Sequence, residues 1–384
     1  MSTLAEICNL QTDKISFDAN LAGSYVSTEN MVPGKGGITV PEIAPKGQKV
    51  TAFEPGDVLV SNIRPYFKKI WHADRPGCCS NDVLVFRASR CIPDFLYYVL
   101  SDDRFFDYST KTAKGTKMPR GDKAAIMRYE VPPNSEKRQL AIASCLKPID
   151  ARIALNTRIN DYLAAIIDAL FKHEILNSFD NSWQKVSLLE IANYKNGLAM
   201  QNFRPEGTDP GLPVLKIKEL GQGKCESDAE RCRSDIDEKV RVHDGDLIFS
   251  WSGTLLLDFW AGGNAGLNQH LFKVTSDRYS PWFYYLWTNY HMRKFIALAK
   301  DRATTMGHIK RSALAESEVL IPPSARMAEL QILFDPLVSQ MISSKIESHK
   351  LEILRDVLLP KLMSGEIDVS RVDLTQLNNH LCEC

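Results

Sequence analysis

Gly245-Asp246-Leu247-Ile248-Phe249-Ser250 is a second writing of Gly56-Asp57-Val58-Leu59-Val60-Ser61. The match has company at offsets of 187 to 190 residues. Ser80–Phe86 pairs with Leu267–Lys273, Pro93–Tyr98 with Pro281–Leu286, and Thr116-Lys117-Met118 with Thr304-Thr305-Met306. Val131-Pro132-Pro133 pairs with Ile321-Pro322-Pro323, Pro148 with Pro336, and Asp168-Ala169-Leu170 with Asp356-Val357-Leu358. Matches in one order at nearly one offset mark an internal duplication, and so long a period excludes a solenoid of short repeats. The 384 residues therefore read as one domain pair written twice.

Each copy begins with β-rich runs. Asp57–Ser61 and Asp82–Phe86 read as strands, as do their partners near 246–250 and 270–274, with Gly, Pro and Asn between them. A helical stretch follows, Asp94–Asp103 and Trp282–Ala299, whose aromatic side chains read as core. Gly262-Gly263-Asn264-Ala265-Gly266 reads as a turn.

A long helix ends each copy. Leu146, Ile149, Ile153, Asn156, Asn160, Leu163, Ile167 and Leu170 keep the alternating three- and four-residue spacing of a coiled-coil seam. The second copy offers Phe334, Leu337, Met341, Ser344, Ser348, Leu351, Arg355 and Leu358, shifting at its end toward Leu354, Leu358 and Leu362. Both seams are polar in the middle, so antiparallel helices overlapping about their centres would bring these layers together. A buried polar layer costs stability and fixes register. Asp335-Pro336 reads as N-cap and first turn of a helix of about 25 residues, roughly 40 Å long. A short helix capped at Ser135 or Ser324 is expected before each, and Gly365 ends the second.

The apolar share of 44% and charged share of 24% are those of a globular protein. Lys+Arg is 47 and Asp+Glu is 47, which excludes binding to nucleic acid or anionic membrane by bulk charge. No window reaches eighteen apolar residues, so no membrane span is expected. The start, MSTLAEICNL, lacks the pattern of a secretory leader. Nine scattered cysteines read as reduced thiols, and a cytoplasmic location is expected.

The zero net charge hides local opposites. Residues 111–128 carry Lys111, Lys114, Lys117, Arg120, Lys123 and Arg128 against Asp122. The matching segment 293–311 carries Arg293, Lys294, Lys300, Arg302, Lys310 and Arg311 against Asp301. Thr116, Thr304, Thr305 and His308 sit among them, with Gly115 and Gly307. Such loops suit phosphate: cations neutralise it and small residues let backbone N–H groups approach. A third cluster, Arg64, Lys68, Lys69 and Arg75, is interleaved with Tyr66, Phe67 and Trp71, while residues 226–238 carry compensating acid. The candidate DNA-contacting residues are thus Arg64, Tyr66, Lys68, Lys69, Lys111, Lys114, Thr116, Lys117, Arg120, Trp251, Arg302, Thr304, Thr305, His308, Lys310 and Arg311.

No catalytic constellation stands out. There is no Gly-rich phosphate loop ending in Lys-Ser/Thr. Pro132-Pro133-Asn134 has the wrong order for the Asn-Pro-Pro-aromatic loop of adenine methyltransferases. His380, Cys382 and Cys384 make a poor metal set, and Cys225 and Cys232 lack partners at zinc-finger spacing. No metal is expected.

Three motifs together resemble the specificity subunits of type I restriction–modification enzymes. They are Gly245–Thr254 followed by Leu267–Phe272, Ile321-Pro322-Pro323 leading into a helix, and Leu354-Arg355-Asp356-Val357-Leu358-Leu359-Pro360-Lys361-Leu362-Met363-Ser364-Gly365-Glu366-Ile367. The resemblance runs the length of the chain, with departures in the first copy. There Ser61-Asn62-Ile63-Arg64-Pro65 replaces a Ser-x-x-Gly turn, and Ser80-Asn81-Asp82 replaces Asn-Gln-His. The Glu-Gln usual after the Pro-Pro pair is also missing from both copies. The resemblance implies an α+β fold: two mixed α/β target-recognition domains and two long helices pairing as an antiparallel coiled coil, with pseudo-twofold internal duplication. The boundaries are then 1–133 and 179–323 for recognition domains, 134–178 and 324–365 for helical regions, and 366–384 for a tail.

It further implies a non-catalytic chain that reads two halves of an asymmetric duplex DNA target. Its helices would set the spacer and dock two methyltransferase subunits, and restriction subunits would join that core. Adenosylmethionine, ATP and Mg would belong to those partners, leaving this chain without a cofactor. A self-contained methyltransferase or nuclease with duplicated recognition domains, and a protein-binding coiled-coil scaffold, are the alternatives.

Overall fold

The computed structural model describes residues 2–17, 24–40, 49–133, 135–300 and 309–369. The chain divides into two compact units, Met1–Ala151 with Glu352–Cys384, and Arg152–Leu351.

In the first unit, four antiparallel strands lie in the order Cys8–Leu10, Val83–Ala88, Val58–Ser61, Ile70–His72. A second, mixed sheet runs Lys14–Ser16, Lys49–Phe53, Gly77–Cys79, Tyr25–Val26. Helices Pro93–Ser101 and Asp103–Lys111 follow. The second unit repeats the first sheet as Asn193–Asn196, Leu271–Thr275, Leu247–Ser250, Leu257–Phe259. Its second sheet runs Arg231–Cys232, Leu212–Leu215, Ala265–Leu267, Arg241–Val242.

The repeated Gly-Asp has a local cause. Gly56 and Gly245 turn the chain at φ of 88° and 89°, a region that favours glycine. The next residue then folds its carboxylate back: Asp57 accepts the backbone N–H of Glu54 at 2.8 Å, and Asp246 that of His243 at 2.7 Å. Each turn so fixed feeds a fully buried strand.

The sheet register moves one sequence match by a residue. Ser61 faces Val83, and Ser250 faces Leu271. Ser80, Asn81 and Asp82 therefore stand where Asn268, Gln269 and His270 stand, one place from the alignment made on letters. Since successive strand side chains alternate faces, that one residue decides which point inward. The second sheets share three strands, with Gly77–Cys79 and Ala265–Leu267 central. Each of these has one parallel and one antiparallel neighbour. The fourth strand is added on opposite edges, beside Lys49–Phe53 in one copy and Leu212–Leu215 in the other. Ala265–Leu267 is thus a strand, and only Gly262-Gly263-Asn264 remains a turn.

The long helices correct a second expectation. They run unbroken over Glu136–Phe171, 36 residues, and Ser324–Ser364, 41 residues. Pro148 and Pro336 lie inside them, so the expected short helices are the first turns of the long ones: Ser135 accepts the Arg138 N–H at 3.4 Å as the first begins, Ser324 is the first residue of the second, and Asp335 sits within the helix and not at an N-cap. A proline inside a helix removes one hydrogen bond. Packing against the other helix and the sheets offsets that loss: Leu146, Ile149, Phe334 and Val338 on either side of the prolines are buried. Gly365 does end the second helix, at φ 86°. A Cβ there would meet a guanidinium nitrogen of Arg138 at 2.6 Å, and Arg138 donates to the Leu362 carbonyl at 3.1 Å. Gly365→Ala is expected to cost about 1–2 kcal/mol in chemical denaturation, combining backbone strain with a weakened hydrogen bond.

Within each unit the two helices pair antiparallel. In the first, Arg138 meets Leu362, and Asp150 meets Arg355. In the second, Arg152 meets Glu347, and Glu174 meets Arg326. Asn156 is buried and donates to Glu347 at 2.7 Å, with Arg152 on the same carboxylate at 3.0 Å. Ser344, also buried, accepts from Gln340 at 3.0 Å. The polar middle of the seam is thus an Arg–Glu–Asn layer beside the serines.

The seam does not slip toward Leu354, which is 45% exposed, while Arg355 is 9% exposed. The heptad stays in step by burying a charge. Asp150 lies 2.9 Å and Asp356 3.1 Å from the Arg355 guanidinium. Burial opposes that charge, but the two carboxylates outweigh it and raise the pKa of Arg355.

Candidate nucleic-acid interface

In the first unit, two clusters far apart in sequence become one surface. Lys114 and Arg120 exchange backbone hydrogen bonds of 2.9 Å each way, making a hairpin whose tip holds Gly115, Thr116, Lys117 and Met118. Its base docks on the turn after Val58–Ser61. The Arg64 N–H donates to the Pro119 carbonyl at 2.8 Å, and Gly121 N–H to Asn62 at 3.1 Å. Thr116, Lys117, Lys111 and Tyr66 are exposed. Phe67, 38% exposed and 4.8 Å from the Tyr66 ring, joins them, as does Met118 at 50%. Phe67 belongs to the aromatic and basic cluster visible in the sequence but is not among its candidate contacts, and Met118 carries no signal apart from its neighbours in space.

The turn is strained. Arg64 and Lys68 adopt φ of 50° and 51°, unusual for residues with a Cβ. Lys68 is held at 3.0 Å by Asp103, which also takes Lys35 at 3.0 Å. Burial would raise the Asp103 pKa, but Lys35 and Lys68 hold it below the usual carboxylate range. Lys35 reaches on to Asp356 at 3.2 Å, and Asp356 to Arg355. An ionic chain therefore joins the turn to the helix seam. Lys69 donates to the Thr28 carbonyl at 2.6 Å, and burial lowers its pKa. Lys68 and Lys69 thus shape the turn from inside.

Acid also trims the basic segment. Lys114 pairs with Asp122 at 2.6 Å, and Arg120 with Asp82 at 3.0 Å. Asp122 is in turn the N-cap of Lys123–Met127, accepting from Ala124 at 2.9 Å. Lys117 at the hairpin tip and Lys111 at the end of helix Asp103–Lys111 are left as exposed cations that no carboxylate holds among the described residues.

The second unit repeats the anchor. Ile309 N–H donates to the Trp251 carbonyl at 2.9 Å, the counterpart of Gly121 on Asn62. Trp251 itself packs at 5.9 Å from Phe272 and 6.0 Å from His270, half buried against the core. Ser252 Oγ lies 3.0 Å from His270 Nδ1, tying the two turns together. Lys310 and Arg311 are exposed at the start of helix Arg311–Ala315. Arg302, Thr304, Thr305 and His308 lie outside the described residues, as do His380, Cys382 and Cys384. Cys225 and Cys232 hold no metal-like cluster, since none is present among the described residues. No helix among the described residues is long and apolar enough to cross a membrane.

Each unit carries an α/β fold, an antiparallel helix pair and a backbone anchor that ties a basic segment to the end of a buried strand. The type I restriction modification DNA specificity domain matches residues 1–165. The HindI type I restriction enzyme specificity subunit of Haemophilus influenzae is 29% identical over 84% of this chain and 88% of its own. The MjaIX specificity subunit of Methanocaldococcus jannaschii is 22% identical over 73% of this chain and 70% of its own. The crystal structure of an S subunit from M. genitalium shares the fold, with a TM-score of 0.55 and 17% identity over 94% of this chain and 95% of that one. Residues 1–165 thus match a type I restriction modification DNA specificity domain, and most of the chain is similar to specificity subunits of type I restriction enzymes. The matched domain is described as a DNA specificity domain.

Proposed function

We propose that each unit reads one half of an asymmetric, bipartite duplex DNA target, and that the paired helices set the spacer between halves. The observation that carries this reading is the shared anchor, Gly121 to Asn62 and Ile309 to Trp251, which holds a basic segment against the same strand end in both copies. The architecture repeats while the side chains differ, so the two half-sites differ. Phosphate contacts from Lys111, Lys117, Lys310 and Arg311 would hold position, and the turns would meet base edges.

The helices support docking of two methyltransferase subunits. Tyr162 is 63% exposed and Ile332 78% exposed, and Leu155, Ile353 and Val357 are also in solvent. Apolar residues in this number on helix surfaces suit subunit contact. Restriction subunits would join that assembly in the cytoplasm, and adenosylmethionine, ATP and Mg would serve the partners.

Replacing Lys111, Lys114 and Lys117 together with Ala is expected to weaken binding to every duplex sequence. The slope of log affinity against log salt should fall by roughly two to three, near 0.9 per lost contact. Fluorescence anisotropy over a salt series measures it. An unchanged slope would favour the protein-binding scaffold, and methyl transfer by the chain alone would favour an enzyme.

A further inference from the structure

The second unit carries a basic cleft whose lining cations, Arg311 excepted, lie outside the turns and basic segments described above. Its volume is about 700 Å³. Lys195, Lys239, Lys273, Arg278 and Arg311 line it, against the carboxylates of Glu190 and Asp277. These cations come from five segments: an edge strand, a short turn, the neighbouring strand, the bend after it, and the start of helix Arg311–Ala315. Lys195, Lys239 and Arg311 are exposed and form no ion pair among the described residues. Lys273 is committed inward, 2.8 Å from Asp246. Glu190 is likewise occupied, accepting the Ser187 N–H at 2.7 Å as a helix cap.

Charge spread over several segments suits an extended polyanion, where a single phosphate would call for convergence on one point. Arg311 closes the basic segment 293–311, so the cleft continues the surface proposed to grip DNA. The first copy is built differently here. Lys195 faces Lys273 across the strands, and the sheet register puts Gln11 and Val85 at the equivalent places.

We infer that this cleft binds the phosphodiester backbone of duplex DNA flanking the half-site read by the second unit, giving that half a phosphate grip that the first lacks. The inference rests on the DNA-reading role proposed above. The ligand chemistry is the anionic phosphate diester, and the cations supply charge without reading sequence.

Two measurements on the full-length chain test it. Lys195→Gln, Lys239→Gln and Arg278→Gln combined should lower the salt slope of binding to a mixed-sequence duplex by roughly two to three. All three side chains are exposed, so folding should be retained. Lysine acetylation read by mass spectrometry should show Lys195 and Lys239 protected by duplex DNA and unprotected by inorganic phosphate. Protection by inorganic phosphate as strong as by DNA would overturn the inference in favour of a free-anion site. An unchanged slope in the cleft variant, with a lowered slope in the Lys111/Lys114/Lys117 variant, would overturn the cleft and leave the DNA-reading role standing. If neither variant changes the slope, both fall.

Discussion

Asp150→Ala should destabilise the first unit by roughly 3–5 kcal/mol, the usual cost of removing one partner from a buried ion pair. Asp150 holds Arg355 at 2.9 Å in the helix seam, and its second oxygen accepts the Tyr98 hydroxyl at 2.8 Å. Burial, reinforced by the Asp150 charge, raises the Tyr98 pKa and keeps its proton in place as a donor. Losing the carboxylate leaves a buried guanidinium with Asp356 alone and strands a buried hydroxyl. Arg355→Met with Asp150→Leu should recover most of the loss, because the seam then closes as an ordinary apolar layer. The exposed pair Lys147–Asp94, at 2.8 Å, is the control: Lys147→Ala should cost less than about 1 kcal/mol. Denaturant unfolding of the four proteins measures the differences. Equal losses for Asp150→Ala and Lys147→Ala would mean that Arg355 is solvated and that the seam is not held by this charge.

Lengthening both helices by one heptad should change what the protein recognises. The chain passes between its compact units at Ala151–Arg152 and Leu351–Glu352. Seven residues inserted at both places leave each unit's own contacts whole, including Asp150 with Arg355 and Arg152 with Glu347. Two helical turns keep the seam on the same face and add about 10 Å. At roughly 3.4 Å per base pair, the spacer should grow by about three base pairs, while both half-sites stay as they were. Methylation mapping with the partner subunits present reads the spacer directly. An unchanged spacer with methylation retained would refute the ruler role of the helices.

Much of this molecule was legible in its letters because the physics was local. Gly56 and Gly245 announce the same turn, and Leu146, Ile149 and Phe334 repeat at seam spacing. What the sequence hid was settled by partners distant along the chain. Arg355 makes the heptad irregular when read as letters, and the partner that stabilises it there, Asp150, lies 205 residues away. Pro148 and Pro336 looked like helix starts, and only the packing around them shows why the helices continue. The basic segment 111–128 was visible as charge, but its trimming by Asp122 and Asp82 was not, and neither was its meeting with the Arg64 turn. Lys195, Lys239 and Arg278 are separated by dozens of residues and join one cleft only after folding.

Two units of one chain are proposed to read two separated stretches of DNA. Single-molecule sequencing of modified bases, in a host carrying this chain with its partner subunits and in the same host without it, measures whether they do. One methylated motif that depends on this chain is expected, made of two unequal specified parts with a fixed unspecified gap. A continuous motif, or a motif that persists when the chain is deleted, would contradict it.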